Sequence, residues 1–147
     1  MFSRACEYGI RASIFIAAKS LNSERVRLRD VASEIETPEA FTAKIMQDLA
    51  RCGIVKSIKG PKGGFEIEID KLPHIKLKDI VVAIDGKQIF TGCGLGLKAC
   101  NSKKPCPIHN DFANIRNALD KMLEETLLVD LATQVHDGAA YLKFMEI

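Results

Sequence analysis

Apolar positions along the chain recur first at helical spacing, then at every second residue, then at helical spacing again. From Tyr8 to Leu21 the residues Ile10, Ile14, Ala17, Ala18 and Leu21 fall at steps of three and four, which predicts an amphipathic first helix. In "LRDVASEIE" the residues Leu28, Val31, Ala32 and Ile35 line one face of a second. "TPEAFTAKIMQDLARCG" predicts a third with both ends marked: Thr37 as N-cap, Pro38 at the first helical position and Gly53 as the stop. Its inward face is expected to be Phe41, Ile45, Met46 and Leu49. Its outward face near the start is expected to be Glu39, Thr42, Ala43 and Lys44.

After Gly53 the period changes to two. "IVKSI" and "FEIEI" alternate apolar and polar residues on either side of "KGPKGG", which predicts a hairpin with a glycine-rich, basic tip. Three helices followed by a basic hairpin is the order of a winged helix-turn-helix. "LKDIVVAIDG" predicts a further helix closing at Gly86, and "DFANIRNALDKMLEETLLVDLA" a long one carrying Phe112, Ile115, Leu119, Met122, Leu123 and Leu127. A helix that extends past a compact unit cannot bury such a stripe alone, so pairing with a second copy is its natural use. The alternative is packing back on its own domain.

The expected fold class is therefore mainly α with a small β-hairpin wing: a winged helix-turn-helix plus a long C-terminal dimerisation helix. Three segments follow: residues 1–76 as the DNA-binding domain, 77–109 as a connecting helix and cysteine-rich loop, and 110–147 as the dimerisation helix and tail. In the tail, Tyr141, Leu142 and Phe144 suggest docking.

Composition narrows the function classes. At 147 residues the chain fits one domain, or a small domain with an oligomerisation arm, and at 47% hydrophobic with no tryptophan it is ordinary for a folded protein. The net charge of +2 is too small to argue for nucleic acid, but its placement is informative. Residues 1–76 hold 13 Lys and Arg against 10 Asp and Glu, and between Arg51 and Phe65 stand Arg51, Lys56, Lys59 and Lys62 with no acidic residue. No run reaches the roughly 18 apolar residues of a membrane span, and "IRASIFIAAKS" is too interrupted by charge for a signal peptide. The expected place is the cytosol, where thiols stay reduced and five cysteines read as ligands or reactive groups. No grouping of His, Ser and carboxylates supports hydrolysis, so an enzyme is not expected.

The major groove admits a helix whose first turn meets base edges with short polar side chains. Thr37, Glu39, Thr42 and Lys44 occupy such positions, and Lys59 and Lys62 at the hairpin tip are candidates for phosphate or minor-groove contact. The alternative is a protein-interaction module of the same shape. Arg27 and Arg29 read as solvated helix-end charges, and Cys6 and Cys52 as packing residues.

"CGLGLKACNSKKPCPIH" holds Cys93, Cys100 and Cys106, with six and five residues between successive thiols. Thiolates suit iron-sulfur clusters or zinc, and these gaps suit an open loop around a large object better than a tight zinc knuckle. His109, three residues after Cys106, can complete four ligands. A zinc site of Cys93, Cys100, Cys106 and His109, or a metal-free reactive loop, remain as alternatives. A small iron-sulfur carrier protein is another, against which the basic wing and Pro-started helix argue.

"EYGIRA", "PEAFTAKIMQDLARCGIVKSIKGPKGGF" and the three cysteines ending in "CPIH" resemble the dimeric winged-helix repressors typified by the iron-sulfur assembly regulator IscR and the nitric-oxide sensor NsrR. The resemblance spans residues 1 to about 132. It implies a homodimer on a palindromic double-stranded operator, with a 2Fe-2S or 4Fe-4S cluster on Cys93, Cys100 and Cys106 adjusting DNA affinity in response to nitric oxide, redox state or cluster supply. It also implies a variable fourth ligand: a histidine matching His109, or an acidic residue matching Glu7 from the other subunit. The chain departs from the pattern twice, with a first cysteine gap one residue longer than the usual five and Lys59 where arginine is common.

Overall fold

The computed structural model describes residues 1–143. Its elements are α1 (Arg4–Leu21), α2 (Leu28–Glu34), α3 (Glu39–Arg51), β1 (Lys56–Ile58), β2 (Gly64–Glu66), α4 (Leu77–Asp85), α5 (Gln88–Thr91), α6 (His109–Glu125) and α7 (Leu128–His136), with a short 3-10 turn at Leu72–His74 before α4. This is the expected mainly helical chain with a two-stranded wing.

Helix α1 starts at Arg4 rather than Tyr8 because Ser3 caps it, its hydroxyl oxygen accepting the Cys6 amide at 3.0 Å. The Ser3 amide also donates to Asp85 Oδ2 at 3.0 Å, tying the start of α1 to the end of α4. The buried face of α1 is rich in small residues, Gly9, Ala12, Ser13 and Ala17 among them, which lets neighbouring helices come close. A methyl group on Gly9 would collide with the Ile84 side chain of α4. Ile16, Val31, Ile35, Ile45, Met46, Leu49, Ile67, Leu72, Ile80 and Val81 complete one continuous core, each full burial contributing about 1.5–3 kcal/mol before entropy is charged against it.

The start of α3 differs from expectation in two related ways. Pro38, not Thr37, occupies the N-cap, and no side chain caps the helix. Thr42 supplies the reason: its amide and its hydroxyl both donate to the Pro38 carbonyl at 3.0 Å. Thr42 is therefore fully buried instead of facing outward, while Phe41, expected inside, is 39% exposed and rests edge-on against Tyr8 with ring centroids 5.8 Å apart. The other three inward residues, Ile45, Met46 and Leu49, are in the core.

In the wing, Lys56 pairs with Glu66, Ser57 with Phe65 and Ile58 with Gly64 in an antiparallel ladder. The strands are shorter than the alternating runs because Ile54, Val55 and Ile67 leave the ladder to enter the core. Helix α4 ends before Gly86, as the sequence predicts.

The long C-terminal helix is interrupted. At Thr126 and Leu127 the chain extends to pair with the segment before α4: the Leu77 amide donates to the Thr126 carbonyl and the Leu128 amide to the Ile75 carbonyl, both at 2.9 Å. The break lets α7 turn back onto α1 and bury Leu128 and Ala132, so this half of the stripe packs on its own chain. Leu142 packs against the core and Tyr141 is exposed; Phe144 lies outside the described residues. Among the described residues no helix is long and apolar enough to cross a membrane.

Candidate functional site

Two sets of side chains carry the candidate chemistry. The first flanks α3 and the wing. Glu39 and Lys44 are exposed on α3, Thr37 is half-buried just before it, and Lys59 and Lys62 are exposed at the wing tip. Thr42 is removed from this set, because a side chain with no accessible surface cannot meet a base edge. The run of four cations also divides. Arg51 pairs with Asp48 at 2.8 Å and Lys56 with Glu68 at 3.3 Å, whereas among the described residues Lys59 and Lys62 form no ion pair. The charge left for an outside anion is thus concentrated at the tip.

The second set lies in residues 92–108, between α5 and α6. The loop makes no regular structure beyond turns, and its glycines serve contact as well as turning: a Cβ on Gly94 would stand 2.8 Å from the Phe112 ring, so only glycine lets the loop lie across the first turn of α6. Its candidate ligands come in two pairs. Cys93 Sγ lies 3.9 Å from Cys106 Sγ, and Cys100 Sγ lies 3.3 Å from His109 Nδ1, His109 being the first residue of α6. Among the described residues no three His, Cys, Asp or Glu side chains converge on one point, so the four ligands are not a single preformed tetrahedron. Glu7 stands exposed in the first turn of α1, on another element of the same chain.

The surroundings of Cys93 favour its charged form. The Leu95 amide donates to Cys93 Sγ at 3.4 Å, and backbone N–H groups of Leu95 and then Leu97 hold the Cys93 thiol below its ordinary pKa. Cys100 accepts from the Arg116 guanidinium at 3.3 Å; Arg116 also donates to the Gly92 carbonyl at 2.8 Å, while its buried Nε has no partner among the described residues. Cys6 is the opposite case, since burial, reinforced by Asp85, pushes its thiol up from 9.0 to about 12 and keeps it inert. Sequence reasoning missed Arg116. Its signal was position, seven residues after His109 and therefore on the same face of α6 two turns on.

These donors fit a soft metal or cluster. Two thiolates bound to one tetrahedral metal at about 2.3 Å stand about 3.8 Å apart, the span of the Cys93–Cys106 pair. The Cys100–His109 pair offers a second bite of similar width. Backbone amides and a guanidinium then face the sulfurs, as anionic ligands require.

A cavity of about 970 Å³ adjoins the loop, lined on its apolar side by Phe2, Ile89, Leu97, Phe112, Ile115 and Leu119. Beyond it, ion pairs lock the other end of α6 to α4. Lys78 Nζ reaches Asp120 at 2.6 Å and Glu124 at 3.5 Å, and Lys76 also pairs with Glu124, so both lysines are held above and Glu124 below their ordinary pKa.

Known proteins resemble this chain in sequence and fold. A protein of Aquifex aeolicus (strain VF5) named as an HTH-type transcriptional regulator is 29% identical over 136 residues, covering 89% of this chain and 90% of that one. The solved CymR of B. subtilis, described as the global cysteine regulator, superposes with a TM-score of 0.72 at 24% identity, covering 90% of this chain and 96% of that one. The solved IscR of T. potens gives 0.70 at 18% identity, covering 97% and 93%. These two structures establish the winged-helix fold, and the relatives are regulators rather than enzymes. The family described as "Rrf2: Iron-dependent Transcriptional regulator" matches residues 2–134, nearly the whole chain, and the protein belongs to that family.

Proposed function

We propose that this regulator acts as a homodimer that binds a palindromic operator through α3 and the wing, and that an iron-sulfur cluster on the cysteine loop sets its affinity. The observation that carries the reading is the two close side-chain pairs of one loop, Cys93 with Cys106 and Cys100 with His109. Cys93, Cys100 and Cys106 would hold the cluster, with His109 or Glu7 of the partner subunit as fourth ligand. When bound, the cluster supplies a centre that nitric oxide, oxidants or iron shortage can change. The device would work in the cytoplasm, on double-stranded DNA.

The chain's own residues connect the loop to the reading face. His109 begins α6, and the far end of α6 is pinned to α4 by Lys76 and Lys78. Helix α4 packs against both α1 and α3. Whatever holds His109 and Cys100 would therefore bias the tilt of a helix whose other end reaches the DNA-reading element through α4. Glu39, Lys44 and Thr37 would meet base edges and Lys59 and Lys62 the phosphates. Exposed Ile115 and Met122 on α6 would face the second copy.

The test is duplex binding by cluster-loaded and apo protein, using a duplex selected from a random-sequence pool, over a range of salt. A change of tenfold or more between the two forms, with log affinity falling linearly in log salt, is expected. Equal affinities would detach the loop from regulation.

A second reading is favoured by one distance. The Cys93 and Cys106 sulfurs, 3.9 Å apart with one leaning towards thiolate, are also placed for a metal-free thiol switch that closes as a disulfide when an oxidant such as a peroxide takes the two electrons and two protons released. Zinc on the same four ligands is the remaining alternative.

A further inference from the structure

Residues 25–27 run extended beside β2. The Val26 amide donates to the Phe65 carbonyl at 3.1 Å and the Phe65 amide to the Val26 carbonyl at 2.7 Å, so the wing has a third edge. Successive side chains of an extended chain point to opposite faces. Val26 is 5% exposed in the core, which leaves Arg25 and Arg27 on the other side, towards the wing tip.

Both arginines reach that tip. Arg25 Nε donates to Glu66 Oε2 at 3.0 Å and its Nη1 to the Lys62 carbonyl at 3.1 Å. Arg27 Nη2 donates to the Pro61 carbonyl. The Arg27 amide is itself held by Asp30 Oδ2 at 3.2 Å at the start of α2, so the grip on the wing is referenced to the helix that precedes the reading helix. Gly64 makes the approach possible: at φ +142° it adopts a backbone conformation that other residues rarely take, and a Cβ would stand 2.6 Å from the Val26 carbonyl oxygen.

We infer that Arg25 and Arg27 are positioning residues for DNA contact: they clamp the carbonyls of Pro61 and Lys62 so that Lys59 and Lys62 meet phosphates from a preformed wing. A loop with Gly60, Gly63 and Gly64 loses much conformational entropy on ordering. The clamp meets that cost during folding, not on the duplex. It also covers two carbonyl dipoles that would otherwise face the phosphates. Arg25 commits Nε and Nη1 and Arg27 commits Nη2 to the wing, and the role assigned to both is to hold the tip rather than to contact phosphate. This inference rests on the DNA-reading face proposed above.

The experiment compares wild type with Arg25→Met/Arg27→Met and, should that variant fold poorly, Arg25→Lys/Arg27→Lys, which keeps both charges but loses the planar fork. Amide hydrogen exchange at Gly63 and Gly64 is measured in the free protein, and affinity for the pool-selected duplex is measured against salt, each also in a Lys59→Ala/Lys62→Ala background. Expected are wing amides exchanging at least about tenfold faster, and duplex affinity about tenfold weaker with an unchanged salt slope. Expected too is a loss of under about twofold once the lysines are gone, because the arginines act through them. Unchanged exchange, a slope shallower by about one per arginine, or fully additive losses would overturn the inference. Wild type that binds no duplex in a salt-dependent way would overturn the DNA-face reading and the clamp's purpose with it, whereas normal wild-type binding beside unchanged exchange would sink the clamp alone.

Discussion

Residues 1–81 and residues 82–122 are built on different terms. The first stretch supplies most of the buried side chains, from Cys6 to Val81, in one continuous core. In the second no residue is buried to that degree; burial resumes only at Leu123. A chain that folds without burying side chains leans on something else for its order. In this protein the supports are the partial packing of Ile84, Ile89, Phe90 and Leu119 on the core, the Lys78–Asp120 ion pair, the two side-chain pairs at the cysteines, the Arg116 contacts and, in the proposed dimer, a second copy against α6. The half proposed to read DNA is thus held by the core, which Leu123, Leu128 and Ala132 complete, and the arm carrying Cys93, Cys100, Cys106 and His109 is conditional. A sensor needs that division, because a signal can reorganise only what the core does not hold.

The largest expected effect tests the division directly. Leu49→Ala, in the core, should lose about 2–5 kcal/mol in urea unfolding, whereas Leu97→Ala, 56% exposed in the loop, should stay within about 0.5 kcal/mol; comparable losses would break the comparison. Next, Cys100→Ala should abolish visible cluster absorbance while leaving unfolding within the same 0.5 kcal/mol, and retained colour would mean a wrong ligand set. Ile115→Asp, at a position 58% exposed on α6, should weaken dimerisation about thirtyfold or more in sedimentation, and an unaffected association would place the interface elsewhere.

Smaller effects sharpen the two ends. Lys59→Ala should weaken duplex binding several-fold and make the salt slope shallower by about 0.9, with or without cluster. Cys6 concerns pH. Its folded thiol titrates near 12 instead of 9.0, so the fold favours the protonated form; that contribution is complete below pH 9 and is lost as pH rises towards 12. Urea midpoints should therefore fall across that window in wild type and fall less in Cys6→Ala.

Much of this was legible in the residues. The change of apolar period from helical to two and back located the helices and the wing, because burial dictates that period. Thr42 and Phe41 were not legible, since the pattern ranks side chains by polarity while the structure satisfies the threonine hydroxyl locally at Pro38 and holds the phenylalanine outside against Tyr8. The break at Thr126 escaped as well, because the apolar stripe runs through it and only backbone pairing with Ile75 and Leu77 interrupts the helix. At the cysteine loop the spacing suggested candidate ligands, but not that the thiols and His109 fall into two pairs. Arg27 read as a solvated helix-end charge because its partner is the Pro61 carbonyl, which no sequence pattern displays, and nothing in the pattern singled out Arg25.

The central claim, that the conditional arm is organised by an iron-sulfur cluster, is tested most directly by an anaerobic absorption spectrum with iron, sulfide and zinc analysis, before and after cluster reconstitution. Visible charge-transfer bands with iron and sulfide in matching amounts are the predicted result. A colourless protein after reconstitution, with stoichiometric zinc or no metal, would contradict it and leave a winged-helix regulator whose cysteine loop works by thiol chemistry or structure alone.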